Sequence, residues 1–199
     1  MIPATDKAER TRQLIITQAA PVFNTKGIAA TAMSDVMAVT GLSKGSLYVH
    51  FKDKEDLALA VVKYNIQLLN DSVERALRDV ADAPARLLAF LEVFADPMHP
   101  PVAGGCPLLN FGMEADDLYP AIRAEVDKAL HAAQNRIAGI VRKGIAAGSF
   151  DSRWQPAEFA TKMFALIEGG VMMSRVAGHN AKMKTVCKII KQEIGNHLV

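Results

Sequence analysis

Between Thr31 and Leu57 the chain gathers side chains suited to holding an anion. Ser43, Lys44, Tyr48, His50, Lys52 and Lys54 fall in one short stretch, and such donors suit phosphate oxygens and base edges. Gly45 and Ser46 lie among them and are small, which lets a helix N-terminus approach a partner closely. Leu47 and Phe51, four residues apart, share a helix face and can anchor it while the other face reads a groove. Charge follows the same pattern. Residues 1–52 carry six Lys and Arg against three Asp and Glu, residues 64–180 eleven against fourteen, and residues 181–199 four against one. A basic N-terminal unit on an acidic body suits a polyanionic partner.

Other reactive residues are sparse. Cys106 sits in Gly104-Gly105-Cys106-Pro107, just before an expected helix start, where the helix dipole favours a thiolate able to sense oxidants or electrophiles. The bland alternative is a buried cysteine acting as a small hydrophobe. Cys187 is the second cysteine, and two cannot make a disulfide framework or a Cys-rich zinc site. His50, His99, His131, His179 and His197 are scattered without an i,i+4 pair, and no H-E-x-x-H, P-loop or G-x-S-x-G run occurs. No catalytic residue, metal or cofactor is therefore expected. Glu114, Asp116, Asp117 and Glu168 could select a cation but read more simply as solvated acids.

The elements that must position these residues all read as helix. With 199 residues, 50% apolar and 22% charged, the chain is neither disordered nor short of core. No long stretch alternates apolar and polar residues, so strands are not expected. The pattern predicts about nine helices: 7–26, with Pro21 expected to kink it; 31–39, capped by Thr31; a short one from Lys44 to Phe51, capped by Ser43; one from 53 to about 80, capped by Asp53; one after Pro84; about 108–114; one from Pro120 to Gly148; 156–177; and 181–198. Gly41 makes the turn between the second and third, which together form a helix-turn-helix. The opening residues, Asp6, Lys7, Glu9, Arg10 and Arg12, do not read as a signal peptide, and the longest uncharged run is broken by proline and glycine. The expectation is a cytoplasmic protein with no membrane partner.

The run Gly41-Leu42-Ser43-Lys44-Gly45-Ser46-Leu47-Tyr48-Val49-His50-Phe51, preceded by Thr31 and followed by Lys54 and Leu57, resembles the DNA-binding domain of the TetR family of bacterial transcriptional regulators. The resemblance covers about residues 8–60; beyond that, only length and helicity agree, and Pro21 departs from most members. It implies an all-α fold, with a three-helix helix-turn-helix domain over residues 1–53 and a larger ligand-binding and dimerisation domain over 54–199. It implies that Lys44 and Gly45 meet base edges, that Val49 touches a thymine methyl, and that Tyr48, His50, Thr31, Ser43 and Lys54 meet phosphates.

The same resemblance implies a homodimer on a palindromic double-stranded operator, and most simply a repressor. The dimer would form through the last two long helices, where Ala165, Gly169 and Gly170 allow close approach. Met172, Met173, Val176, Val186, Ile190 and Ile194 would supply apolar area. It implies a small-molecule inducer held in the body of the second domain, for which Phe90, Phe94, Cys106, Phe111, Met113, Met163, Phe164 and Ile167 are candidates and suggest an apolar ligand. Release by chemistry at Cys106 is the other route. The competing reading is a helical protein-interaction adaptor without specific DNA binding, which measured DNA affinity separates from a regulator.

Overall fold

A computed structural model describes residues 4–199, with side chains from Lys7 onward; the first three residues of the expected N-terminal domain lie outside this range. Nine helices occur among the described residues: α1 Ala4–Lys26, α2 Met33–Thr40, α3 Lys44–His50, α4 Lys54–Leu77, α5 Ala83–Glu92, α6 Pro107–Ala115, α7 Pro120–Ala146, α8 Pro156–Ala177 and α9 Ala181–Asn196. The remaining regular pairing is an isolated bridge between Phe150 and Leu198. The fold class is all-α.

Two compact units are present, residues 1–68 with 102–127, and residues 69–101 with 128–199.

In the first unit, α1 buries Ile15, Ala19 and Phe23, α2 buries Val36, α3 buries Leu47, and Phe51 follows at 2% exposure. This is the i, i+3, i+4 stripe of a helix with one apolar face. The Arg12 guanidinium lies 4.8 Å over the Phe51 ring. α1 continues through Pro21. It ends at Gly27, whose φ of +88° takes the left-handed conformation open to glycine. Gly41 ends α2 in the same way, with φ 68° and its N–H donating to the Met37 carbonyl.

The start of α2 differs from expectation. Its N-cap is Ala32, not Thr31. Thr31 is fully buried, and its hydroxyl donates back to the Gly27 carbonyl at 2.6 Å. Asp35 does the capping from within the helix: Oδ2 accepts the Ala32 N–H at 2.9 Å, and Oδ1 pairs with Lys26 Nζ at 2.7 Å. Lys26 therefore holds the Asp35 carboxyl below its usual range. Asp53 caps α4 as expected, accepting the Asp56 N–H at 2.9 Å.

In the second unit α5 begins at a capping Asp82, which accepts the Ala85 N–H at 2.8 Å. α8 and α9 pack along their length. Gly170 lies at the closest approach, where an added Cβ would sit 2.7 Å from Met183 Sδ. Ser174 Oγ accepts the Met183 N–H at 2.9 Å, closing the pair across the α8–α9 turn. Trp154 is edge-on to Phe150 at 4.8 Å and stacked on His197 at 4.5 Å, which ties the chain's end to the turn preceding α8. In that turn Arg153 holds the Asp151 carboxyl down to about 2.

Candidate nucleic-acid interface

α3 is held by one side and open on the other. Ser43 caps it, with φ −71° and ψ 158° and its hydroxyl accepting the Ser46 N–H at 3.2 Å. Such a cap is worth about 1 kcal/mol, and it fixes where the helix begins. Leu47 and Phe51 face the core. The opposite side is open. Val49 is 80% exposed and Tyr48 42%, and Lys44 Nζ lies 6.0 Å from the Tyr48 ring centroid. A Cβ at Gly45 would meet nothing closer than the Ser43 hydroxyl at 4.0 Å. Lys52 is exposed, and Ser46 and His50 are half-buried. A valine this exposed, next to Tyr48 on the helix that Lys44 begins, leaves most of its transfer free energy unused in folding. Beside hydrogen-bond donors, such a side chain fits the floor of a major groove, where a thymine methyl is the apolar partner.

Two residues expected to meet phosphates are occupied elsewhere. Thr31 is interior, as described. Lys54 Nζ donates to the carbonyls of Ala29 and Thr31, each at 3.1 Å. Its ammonium thus secures the loop between α1 and α2.

The same loop shows what sequence reasoning missed. Glu114, read as a solvated acid, accepts the N–H of Ile28 at 2.6 Å and of Ala29 at 2.5 Å. Asn110, one turn earlier on α6, donates to the carbonyl of Asn24 at 3.0 Å and of Gly104 at 3.1 Å. Asn24 is 3% exposed and donates to the carbonyls of Ala103 at 2.7 Å and Gly105 at 3.0 Å. Gly104, with φ +95°, is required here: a Cβ would sit 2.7 Å from the Asn24 carbonyl oxygen. The available signal was the i,i+4 pair Asn110 and Glu114 on a short helix whose other residues are mostly apolar.

The residues expected around an inducer divide between the two units. Phe90, Phe94, Met163, Phe164 and Ile167 are buried in the second, with the Phe90 and Phe94 rings 5.5 Å apart. Cys106 and Phe111 are buried in the first. Met113 is 71% exposed, because two residues past Phe111 places it on the opposite face of α6. A groove of about 890 Å³ opens in the second unit against Glu92, Asp96, Asn180, Lys184, Cys187 and Lys191, among others. None of the expected ligand residues lines it. Burial pushes the Cys187 thiol up, which keeps it protonated.

The residues expected at a dimer interface also separate. Gly170, Val186, Ile190 and Ile194 are buried in the packing of the chain itself. Ala165, Met172 (49% exposed), Met173 (41%) and Val176 (83%) remain open, and a Cβ at Gly169 would meet nothing within 4 Å. Cys106 is the N-cap residue of α6 and is 6% exposed. Among the described residues no cluster of His, Cys, Asp or Glu is arranged to hold a metal, and no helix is long and apolar enough to cross a membrane.

With this geometry in view, the comparisons with known proteins agree with one another. A family described as "Bacterial regulatory proteins, tetR family" matches residues 15–61, and one described as "Tetracyclin repressor-like, C-terminal domain" matches residues 83–190. The crystal structure of a TetR transcriptional regulator from Chloroflexus aurantiacus superposes with a TM-score of 0.93 at 34% identity, covering 97% of this chain and 98% of that one. The HTH-type transcriptional activator FasR of Mycolicibacterium smegmatis is 40% identical over 88 residues, and the match spans 44% of this chain but only 40% of that protein's length. The HTH-type transcriptional repressor DhaR of Mycobacterium sp. (strain GP1) is 24% identical over 165 residues, 83% of this chain and 82% of that protein. These relatives are regulators rather than enzymes. The chain belongs to the TetR family of bacterial transcriptional regulators and is a DNA-binding transcriptional regulator.

Proposed function

We propose that the chain is a cytoplasmic repressor that binds a palindromic operator as a homodimer and is released by a small apolar ligand or by chemistry at Cys106. The observation that carries the reading is the open face of α3, where Val49, Tyr48, Lys44 and Gly45 stand exposed around a capped helix start. Residues 1–53 are the DNA-binding segment. Lys44 and Gly45 meet base edges, Val49 meets a thymine methyl, and Ser43, Ser46, Tyr48, His50 and Lys52 face the backbone. One short helix offers few base contacts, so two copies act together on half-sites about 34–36 Å apart or a multiple of that. The second copy docks on the open face of α8, through Ala165, Gly169, Met172, Met173 and Val176. Repression, rather than activation, is favoured because a relative aligned over most of the chain is a repressor, whereas the activator FasR aligns over less than half.

Inducer binding shifts the population between DNA-competent and incompetent states. The apolar candidates Phe90, Phe94, Met163, Phe164 and Ile167 hold the ligand in the second unit. Cys106 supplies the second route of release. It caps α6, and the next turns of that helix, through Asn110 and Glu114, hold the end of α1 and the loop before α2. A modified thiol at that cap displaces the start of α6. The Cys106→Ser variant is expected to lose any release caused by thiol reagents, and release that survives in it refutes the cysteine route.

The test of the reading as a whole is fluorescence anisotropy with the duplex upstream of the chain's own gene, against a scrambled duplex, over a salt series. Sequence-preferring binding that falls steeply with salt is the expected result. No binding to either duplex, nor to any duplex recovered by genomic selection, overturns it.

A further inference from the structure

The loop between α1 and α2 is held from both sides by opposite charges. Its amides at Ile28 and Ala29 donate to the carboxylate of Glu114 on α6. Its carbonyls at Ala29 and Thr31 accept from the ammonium of Lys54, the first residue of α4. Ala29 is gripped through both its N–H and its C=O. All of these groups lie in one compact unit. We propose that Glu114 and Lys54 are positioning residues for DNA binding: they fix the loop from which the helix-turn-helix departs, and neither touches DNA.

Three physical arguments support this. Hydrogen bonds to a charged partner are about twice as strong as neutral ones. The carboxylate and the ammonium hold adjacent peptide groups, one on each side of the Ala29 Cα, so both backbone torsions of that residue are restrained. The loop's other hydrogen bonds are local: Thr31 bonds back to the Gly27 carbonyl through its N–H and its hydroxyl, and Asp35 accepts the Ala32 N–H while pairing with Lys26. Glu114 and Lys54 are the side chains that hydrogen-bond it to α6 and α4. The geometry also explains why Gly27 has no side chain, since a Cβ there would sit 2.9 Å from Glu114 Oε2. α2 begins at Met33, four residues after Ala29, and α3 is joined to α2 by the turn at Gly41, so a displaced loop misplaces the reading face.

This inference rests on α3 being the DNA-reading helix, and the experiment separates the two claims. The probe is a labelled duplex enriched from a random-sequence pool by the unmodified chain, with a scrambled duplex as control, over a salt series. Removing a negative charge from a DNA-binding protein strengthens its hold on a polyanion if electrostatics alone acts. Glu114→Gln is expected to do the reverse. It should weaken specific binding roughly tenfold, within the range for residues that touch no ligand, while binding to the scrambled duplex is unchanged or tighter. Lys54→Gln is expected to weaken specific binding by a similar factor with the slope of log affinity against log salt unchanged. A lost phosphate contact would instead reduce that slope by about 0.9. The double variant should lose less than the product of the two, because both act through one loop.

Glu114→Asp keeps the charge but shortens the reach. It should show the same specific loss, and it carries the test if Glu114→Gln does not fold. Specific binding by the Glu114 variants equal to or tighter than the unmodified chain overturns the proposal, as does a slope reduced by about one in Lys54→Gln. Lys44→Ala completes the set. If it leaves specific binding intact, the reading of α3 fails. If it destroys specific binding while the Glu114 variants do not, only the positioning role fails.

Discussion

Several helices leave apolar side chains exposed, and on two of them, α3 and α8, the surroundings differ in a telling way. On α3 the exposed residue is Val49, set among Lys44, Tyr48 and Gly45. On α8 the exposed residues are Met172, Met173 and Val176, beside Ala165 and an unobstructed Gly169. Apolar surface left in water forgoes about 25 cal/mol per Å², and on the proposed reading each face is covered by a partner. The neighbours decide which one. Donors and a small helix start around one apolar side chain suit a groove walled by phosphates. Flexible methionines and small residues in a row suit another apolar helix, whose backbone can come near.

The strongest way to break the comparison is to charge the α8 face. With Met172→Glu and Val176→Glu together, light scattering is expected to give a monomer of 21.5 kDa at micromolar concentration. Operator affinity should fall on the order of 10²–10⁴-fold, because two half-sites are no longer held by one linked molecule. A dimer that survives both charges removes α8 from the interface.

The adjacent glycines sharpen the same point, because they point about 100° apart around α8 and only Gly170 points at α9. Gly170→Leu must displace Met183 and Val186, which lie 2.7 and 3.1 Å from its would-be Cβ. It should lower stability by about 1–3 kcal/mol or more, visible as a reduced thermal midpoint. Gly169→Leu meets nothing within its own chain. It should keep the fold and weaken only dimerisation, measured by sedimentation. Equal loss of stability in both would mean that α8 has no free face.

On α3 the expected effects are smaller and specific to sequence. Lys44→Ala should cost about 1–3 kcal/mol of operator binding and relax the preference at one base pair. Val49→Ala should cost about 1 kcal/mol or less, only on duplexes with thymine at the matching position. It should not lower the thermal midpoint, because Val49 is 80% exposed. A stability loss in Val49→Ala would make it a packing residue and break the parallel with α8.

How much of this was legible depends on distance along the chain. α3 was legible because its cap, its two anchors and its open face lie within nine residues and follow one period. α8 was half legible. It carries apolar residues on two faces, and periodicity alone does not say which face α9 covers; Gly170, Val186, Ile190 and Ile194 proved to be on the covered side. The grip of Glu114 on Ile28 and Ala29 was not legible, because it joins residues more than eighty apart and uses backbone amides that carry no sequence signal. Thr31 and Lys54 read as phosphate contacts for a related reason: a threonine or lysine near a helix start looks the same whether it faces DNA or its own loop.

The smallest effect distinguishes the turns that brace the two helices. Asp35, bonded to Lys26 and Ala32, starts the helix behind α3, whereas Asp151, bonded to Arg153, lies in the turn before α8. Both carboxyls are held below 3.8, Asp151 at about 2. A carboxyl depressed in the folded state contributes stability that is fully present above its unfolded value. That contribution is lost as pH falls through the folded one. For Asp151 the loss therefore runs from pH 3.8 down to about 2, and neither acid contributes any pH dependence near neutrality. Carboxyl titration by NMR checks each brace separately. Lys26→Ala should raise the Asp35 midpoint toward 3.8 and leave Asp151 in place, and Arg153→Ala should do the opposite. An Asp35 midpoint already at 3.8 in the unmodified chain would show that α1 does not brace α2 through Lys26, and would leave the reading helix with less support than the turn before α8 enjoys.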